Sequence, residues 1–219
     1  MSTGLIIFDF DGTLCDTRKT IVKTLRMTME RLCLPVADEA TCASTIGLKL
    51  SESFKVMFPS LTEEQAEECA DTYRSIFEEN KKVLVPSLFP NVSETLKELR
   101  HRGFTLTIAS SRYKCSLLDL VKTFELEKEI TLVIGGDDVA KAKPDPEPVL
   151  VTLRQLGFEP SQTLVVGDMP FDILMGRGAG TKTCGVTYGN ASREELTDSG
   201  ADYLIDDFSA LLDLDWEYE

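Results

Sequence analysis

Histidine is almost missing from this chain of 219 residues: His101 is the only one. It falls in "LRHRG", flanked by arginines near the end of a helical pattern, where solvent and the helix dipole account for it. No Ser-His-Asp or Cys-His machine can be built from it. Paired cysteines are missing as well. Cys15, Cys33, Cys42, Cys69, Cys115 and Cys184 show no C-x-x-C spacing, which argues against a zinc site or a dense disulfide framework and leaves reduced, packed thiols. None is followed six residues later by arginine, so the cysteine-phosphatase loop C-x5-R is absent too. There is no G-x-x-x-x-G-K-[ST], and "GRGAG" at Gly176 to Gly180 falls short of G-x-G-x-x-G and reads as close helix packing plus a stop. No apolar run approaches the roughly 20 residues of a membrane helix, and the N-terminus lacks a basic region followed by an apolar stretch. A cytoplasmic protein with no membrane partner is the expectation. Positive charge is also scarce: 23 Lys and Arg stand against 37 Asp and Glu, for a net −14. That opposes non-specific nucleic-acid binding, which rests on cations neutralising phosphates. The stretch from Asn190 to Glu219 carries ten acids against the single base Arg193 and reads as a solvated acidic edge.

What is present fits one large domain, or one domain with an insert, with 42% hydrophobic residues to fill a core. The runs "GLIIF", "FTLTIAS", "ITLVIGG", "TLVVGD" and "TKTCGV" are short, rich in β-branched residues and bounded by glycine or charge, as buried parallel strands are. Helical spacings separate them: Val92, Leu96 and Leu99; Leu117, Leu120, Val121 and Phe124; Val149, Leu150, Leu153 and Leu156. The alternation predicts an α/β fold with a Rossmann-like, mostly parallel sheet that binds ligands at the carboxyl ends of its strands. Some ninety residues without a convincing strand separate the first run from the second, too many for one crossover. Within them Ile21, Leu25, Met29 and Leu32 repeat at helical spacing, as do Ala66, Ala70, Tyr73 and Phe77, and Thr62-x-x-Gln65 opens the latter as a capping box. Residues 16–84 are therefore expected to form a helical cap domain threaded into a discontinuous core of residues 1–15 and 85–219, with the two connections as a hinge.

The strand ends carry chemistry. Asp9 and Asp11 follow the first run, on one side of the chain by period-2 geometry, where their repulsion calls for a cation or hydrogen bonds. Ser110 and Ser111 follow the second, Asp168 follows "LVVG", and Lys143 lies in "AKAKPDP". Acids, a hydroxyl and an ammonium gathered at one sheet edge are what handling a phosphate with Mg²⁺ demands, since that ion takes a few hard oxygen ligands and keeps several waters. Asp168 alone would also suit a helix N-cap, and Asp172 a helix's first turn.

With these residues in view the chain resembles the haloacid dehalogenase superfamily, in its phosphoglycolate phosphatase-like branch with a helical cap. "DFDGT", "TIASS", "KAKPDP" and "VVGDMPFD" match the four motifs in order. The resemblance implies that Asp9 is the nucleophile, forming an aspartyl-phosphate, and that Asp11 protonates the leaving alkoxide and then activates water. It implies Mg²⁺ held by the Asp9 carboxylate, the Asp11 carbonyl and Asp168, with Asp172 steadying the metal waters or Lys143. Ser110 and Lys143 would hold phosphoryl oxygens, helped by backbone N–H groups near Phe10, Asp11 and Ser111. Dehalogenases of the superfamily do not need an acid at position 11, so its presence favours phosphate esters. Sugar-phosphate mutases of the β-phosphoglucomutase type share the motifs but usually carry a histidine at the start of the cap, and "CDTRKT" has none.

Substrate choice falls to the cap. "TIGLKLSESF" resembles the family's specificity loop, with Gly47 permitting a turn above the site. Lys49, Arg18 and Arg74 are candidates to meet a distal anion. The expected partner is a small phosphorylated metabolite, phosphoglycolate-like first, with pyrophosphate, small sugar phosphates and nucleoside monophosphates open, turned over by a monomer or weak homodimer. A sugar-phosphate mutase and a non-catalytic phosphometabolite-binding module are the alternatives, the latter opposed by intact Asp9, Asp11, Ser110, Lys143 and Asp168.

Overall fold

The structure is a computed structural model that describes residues 4–215. In chain order the strands are β1 (Gly4–Phe8), β2 (Cys15–Asp16), β3 (Ser87–Leu88), β4 (Phe104–Ala109), β5 (Ile130–Ile134), β6 (Thr163–Gly167), β7 (Lys182–Val186) and β8 (Tyr203–Ile205). The helices are α1 (Arg18–Arg31), α2 (Glu39–Ala43), α3 (Leu50–Met57), α4 (Glu63–Asn80), α5 (Val92–His101), α6 (Lys114–Thr123), α7 (Glu147–Leu156), α8 (Pro170–Gly178) and α9 (Arg193–Asp198). Six strands form one parallel sheet in the order β5-β4-β1-β6-β7-β8. All five strands expected from the sequence are in it.

Residue alternation on β1 explains the layers. Ile6 and Phe8 point into one cluster with Leu96 and Leu99 of α5, Leu117 of α6, and Phe208 and Leu211 of a short 3₁₀ turn. Leu5 and Ile7 point into another with Val149 and Leu153 of α7 and Met175 of α8. A strand buried on both faces has no reason to alternate polar residues, so "GLIIF" reads as continuous apolar chain. Each such side chain contributes about 1.5–3 kcal/mol on burial.

Helices α1 to α4 lie between β1 and β4 and keep a cluster of their own, in which Leu25, Met29, Phe54, Tyr73 and Phe77 are buried. The capping box forms as its spacing dictates: the Gln65 N–H donates to Thr62 Oγ1 at 3.2 Å and the Thr62 N–H donates to Gln65 Oε1 at 2.9 Å. Where the chain leaves and re-enters the sheet, β2 and β3 pair antiparallel, Cys15 opposite Leu88 and Asp16 opposite Ser87. This pair and β8 extend the expected set of strands; elements of two or three residues carry no readable period. The described acids of the acidic edge, among them Glu194, Glu195, Asp206 and Asp213, are exposed, while Leu196, Ile205 and Phe208 beside them are buried. Residues 216–219 of that edge lie outside the described residues. His101 is exposed on the last turn of α5, its Nδ1 3.9 Å from Glu98. No helix among the described residues is long and apolar enough to cross a membrane.

Candidate active site

Parallel register builds the site. Phe8 of β1 stands opposite Val166 of β6, and the Asp9 N–H continues the ladder to the Val166 carbonyl at 2.8 Å. The next residues on the two neighbouring strands thus place Asp9 beside Asp168. On the other side, Ala109 pairs with Ile134 and the Ser110 N–H with the Ile134 carbonyl at 3.0 Å, so Ser110 emerges at the same edge.

Lys143 reaches this edge from the loop between β5 and α7. Its Nζ donates to Asp9 Oδ1 at 2.5 Å and to Asp172 Oδ1 at 2.7 Å, with 3% of the residue exposed. Asp172 is in the first turn of α8, where its Oδ2 accepts the Met169 N–H at 3.0 Å. Met169, not Asp168, is the N-cap of that helix. Asp168 instead accepts the Asn190 N–H at 2.7 Å and the Asn190 side-chain amide at 2.8 Å. Two glycines make the crowding possible. Gly12 has φ +94°, and a Cβ there would stand 2.1 Å from Asp168 Oδ2; at Gly167 one would stand 2.2 Å from Asp172 Cβ.

Carboxylate oxygens of Asp9, Asp168 and Asp172 lie within 4.8 Å of one another, all three residues buried. One ammonium balances three acids. Burial pushes Asp9 well above the ordinary carboxylate range; Lys143 opposes this, and Asp172, Asp168 and Asp11 reinforce it. Asp168 is raised to about 7, by burial first and then by Asp172, against the Asn190 hydrogen bonds. Burial disfavours the Lys143 ammonium, but Asp172 and Asp9 outweigh it and hold the pKa above the usual lysine value. A cluster of hard oxygens short of positive charge fits a divalent cation such as Mg²⁺.

Asp11 faces elsewhere. Arg112 Nε donates to its two carboxylate oxygens at 2.9 and 2.7 Å, and the guanidinium lies 5.1 Å from the ring centre of Phe77 on α4. Sequence reasoning did not single out Arg112. The available signal was its place directly after Ser110 and Ser111 at a strand end.

Asp9, Asp11, Ser110 and Ser111 open into a cavity of about 230 Å³ beneath the helices, lined also by Ile46, Gly47, Lys49, Tyr73, Arg74 and Arg112. Ser111 Oγ donates to the Gly47 carbonyl at 2.6 Å and ties the helical segment to the sheet. Lys49 lines the cavity and pairs with Glu67 at 3.3 Å. Arg18 is not among the lining residues; its Nη1 donates to Asn190 at 3.1 Å. The Phe10 side chain is fully buried in the core and does not line the cavity.

A parallel α/β sheet with acids and one lysine at its carboxyl edge, under a helical segment, defines an enzyme scaffold. The chain belongs to the haloacid dehalogenase-like hydrolases, whose family model matches residues 6–186. It is 34% identical over 210 residues to the "Probable phosphatase IndB" of Dickeya dadantii, covering 95% of this chain and 91% of that protein. It is 33% identical over 207 residues to the "Pyrophosphatase PpaX" of Bacillus pumilus, covering 94% of each. A solved structure described as a "predicted phosphoglycolate phosphatase" from Haemophilus somnus superposes with a TM-score of 0.84 at 26% identity, over 97% of this chain and 98% of that one. This chain is accordingly a hydrolase of that family, and its full-length relatives carry phosphatase names.

Proposed function

We propose that the protein is a Mg²⁺-dependent phosphatase that hydrolyses a small phosphate monoester through an aspartyl-phosphate on Asp9, with residues 16–84 as a cap domain over a core of 1–15 and 85–219. The observation that carries this is the buried Asp9 carboxylate, held by Lys143, at the floor of a cavity whose edge also presents Asp11 and Ser110.

Asp9 attacks phosphorus in line, the new bond forming on a carboxylate oxygen as the bond to the leaving alkoxide breaks. Asp11 enters this step as the carboxylic acid and passes its proton to the alkoxide, leaving the carboxylate that Arg112 holds. In the second half Asp11 takes a proton from water, whose oxygen attacks phosphorus and releases Asp9 with inorganic phosphate. Lys143 and Ser110, with backbone N–H groups near Phe10, Asp11 and Ser111, hold the phosphoryl oxygens. The residues that would hold Mg²⁺ are Asp9, the Asp11 carbonyl and Asp168, with Asp172 steadying Lys143; when bound, the ion neutralises phosphoryl charge and aligns the ester. Arg112 fixes the Asp11 carboxylate. Gly47, Lys49 and Arg74 are at the leaving-group end, while Arg18 contributes through Asn190 at the Asp168 rim.

The cavity and the acid cluster are complete within one chain, which supports action as a monomer or weak homodimer on a free phosphorylated metabolite. Six free thiols support a cytoplasmic setting. Phosphate release from a panel of monoesters, with and without Mg²⁺, tests the reading with Asp9→Asn as control. Release is expected to collapse on removing either the metal or the Asp9 carboxylate; an Asn variant working at the wild-type rate rejects the covalent step.

A further inference from the structure

Among the described residues five buried side-chain polar atoms lack a hydrogen-bond partner, and three of them belong to Arg112 and Arg74: Nη2 of the former, Nε and Nη2 of the latter. Both residues line the cavity in front of Asp9. A buried donor left without an acceptor loses its hydration with nothing in return, and the loss is greater when the donor is charged. Two guanidiniums in this state at one cavity therefore call for an acceptor that enters it.

The two arginines belong to different parts of the fold and are braced against each other's neighbours. Arg74, on α4, lies 3.9 Å over the ring of Tyr113, the residue after Arg112. Phe77, one turn beyond Arg74, lies against the Arg112 guanidinium. Their remaining contacts fix them in place and leave the unpaired N–H groups over: Arg112 Nε is spent on Asp11, Arg74 Nη1 on Asp71, and Glu67 stays 4.0 Å from Arg74 Nη2. Glu78, also on the cavity wall, is paired with Lys81 at 2.6 Å.

The other walls are of opposite character. Ile21, Leu25, Ile46, Leu48, Leu50 and Phe77 present aliphatic and aromatic surface. The second phosphoryl group of pyrophosphate would satisfy the cations but, having no carbon body, would leave this apolar surface uncovered. Glycolate would likewise satisfy the cations but leave most of that surface uncovered.

We infer that the leaving group is a hydroxy acid bulkier than glycolate: its phosphorylated oxygen faces Asp11, a branched or aromatic carbon body fills the cavity, and its carboxylate takes the free N–H groups of Arg112 and Arg74. This rests on the phosphatase reading above.

The test is kcat/KM at saturating Mg²⁺ for 4-carboxyphenyl phosphate, phenyl phosphate, phosphoglycolate and pyrophosphate, on the wild type and on Arg74→Ala. Wild type is expected to favour the carboxyphenyl ester over phenyl phosphate by about tenfold, the worth of one charge-assisted contact, and to rank phosphoglycolate and pyrophosphate below both. Arg74→Ala is expected to abolish that carboxyphenyl-to-phenyl ratio. The ratio is taken within one preparation, so partial misfolding cancels. A wild type that prefers pyrophosphate or phosphoglycolate, that ignores the carboxylate, or whose ratio survives Arg74→Ala overturns the inference while leaving a phosphatase. Absence of phosphate release from every compound fails the phosphatase reading itself.

Discussion

Arg112 grips Asp11 across 101 residues of sequence, its Nε bonded to the two carboxylate oxygens with side chains 11% and 10% exposed. The contact joins the residue proposed to move the proton to a guanidinium seated on Phe77 of the helical segment. The position of that segment and the position of the carboxylate are therefore linked through one side chain.

Removing that grip should harm turnover more than binding of the phosphoryl group. For Arg112→Ala we expect kcat to fall by about 10- to 100-fold, because a carboxylate free to swing spends less time in line with the leaving oxygen. Arg112→Lys should recover part of the loss, since an ammonium supplies the charge without the planar fork. Steady-state kinetics on one good substrate read both, and an unchanged kcat in Arg112→Ala refutes the positioning role.

The acid cluster predicts how stability follows pH and metal. In the folded chain Asp168 keeps its proton up to about 7, whereas an unfolded aspartate releases it near 3.8. The folded state thus binds the extra proton between those values, and the stability of the metal-free protein falls as pH rises through the window. Mg²⁺ bound at the proposed site would favour the ionised, folded cluster and offset the loss. In chelator, Tm should decline from about pH 5 to about pH 7.5, and added Mg²⁺ should raise Tm more at the higher pH. Equal Mg²⁺ shifts at the two pH values would contradict a carboxylate site.

Gly12→Ala probes the crowding directly. The new methyl group would stand 2.1 Å from Asp168 Oδ2 on a backbone with φ +94°. Strain of this kind costs about 1–3 kcal/mol, and each kcal/mol lowers Tm by about 2–4 °C in a chain of this size. The Mg²⁺-dependent gain in Tm should shrink as well, because Asp168 must move. A variant with wild-type Tm and metal response would show that Gly12 is not pressed against the cluster.

Much of this was legible in the residues. "GLIIF" reads as a doubly buried strand because it is one, and Thr62 and Gln65 cap α4 as their three-residue spacing requires. Asp9, Ser110 and Asp168 could be placed at one edge because parallel strands end together, and Lys143 proves to bind Asp9 and Asp172 there. Elements without a period were not legible: β2, β3 and β8 are too short to show one. Nor was the separation of Arg18 from the cavity, since a charge on the first turn of α1 can point to either side until the helix is docked.

Local order determined the strands, the helical interruption and the set of acids, because burial period and turn chemistry act over a few residues. Tertiary structure alone decided that Arg112 would meet Asp11, and that two cationic side chains would end beside an apolar hollow with donors to spare. Those pairings depend on strand order and on how one group of helices rests over the sheet, and no short stretch of chain encodes either.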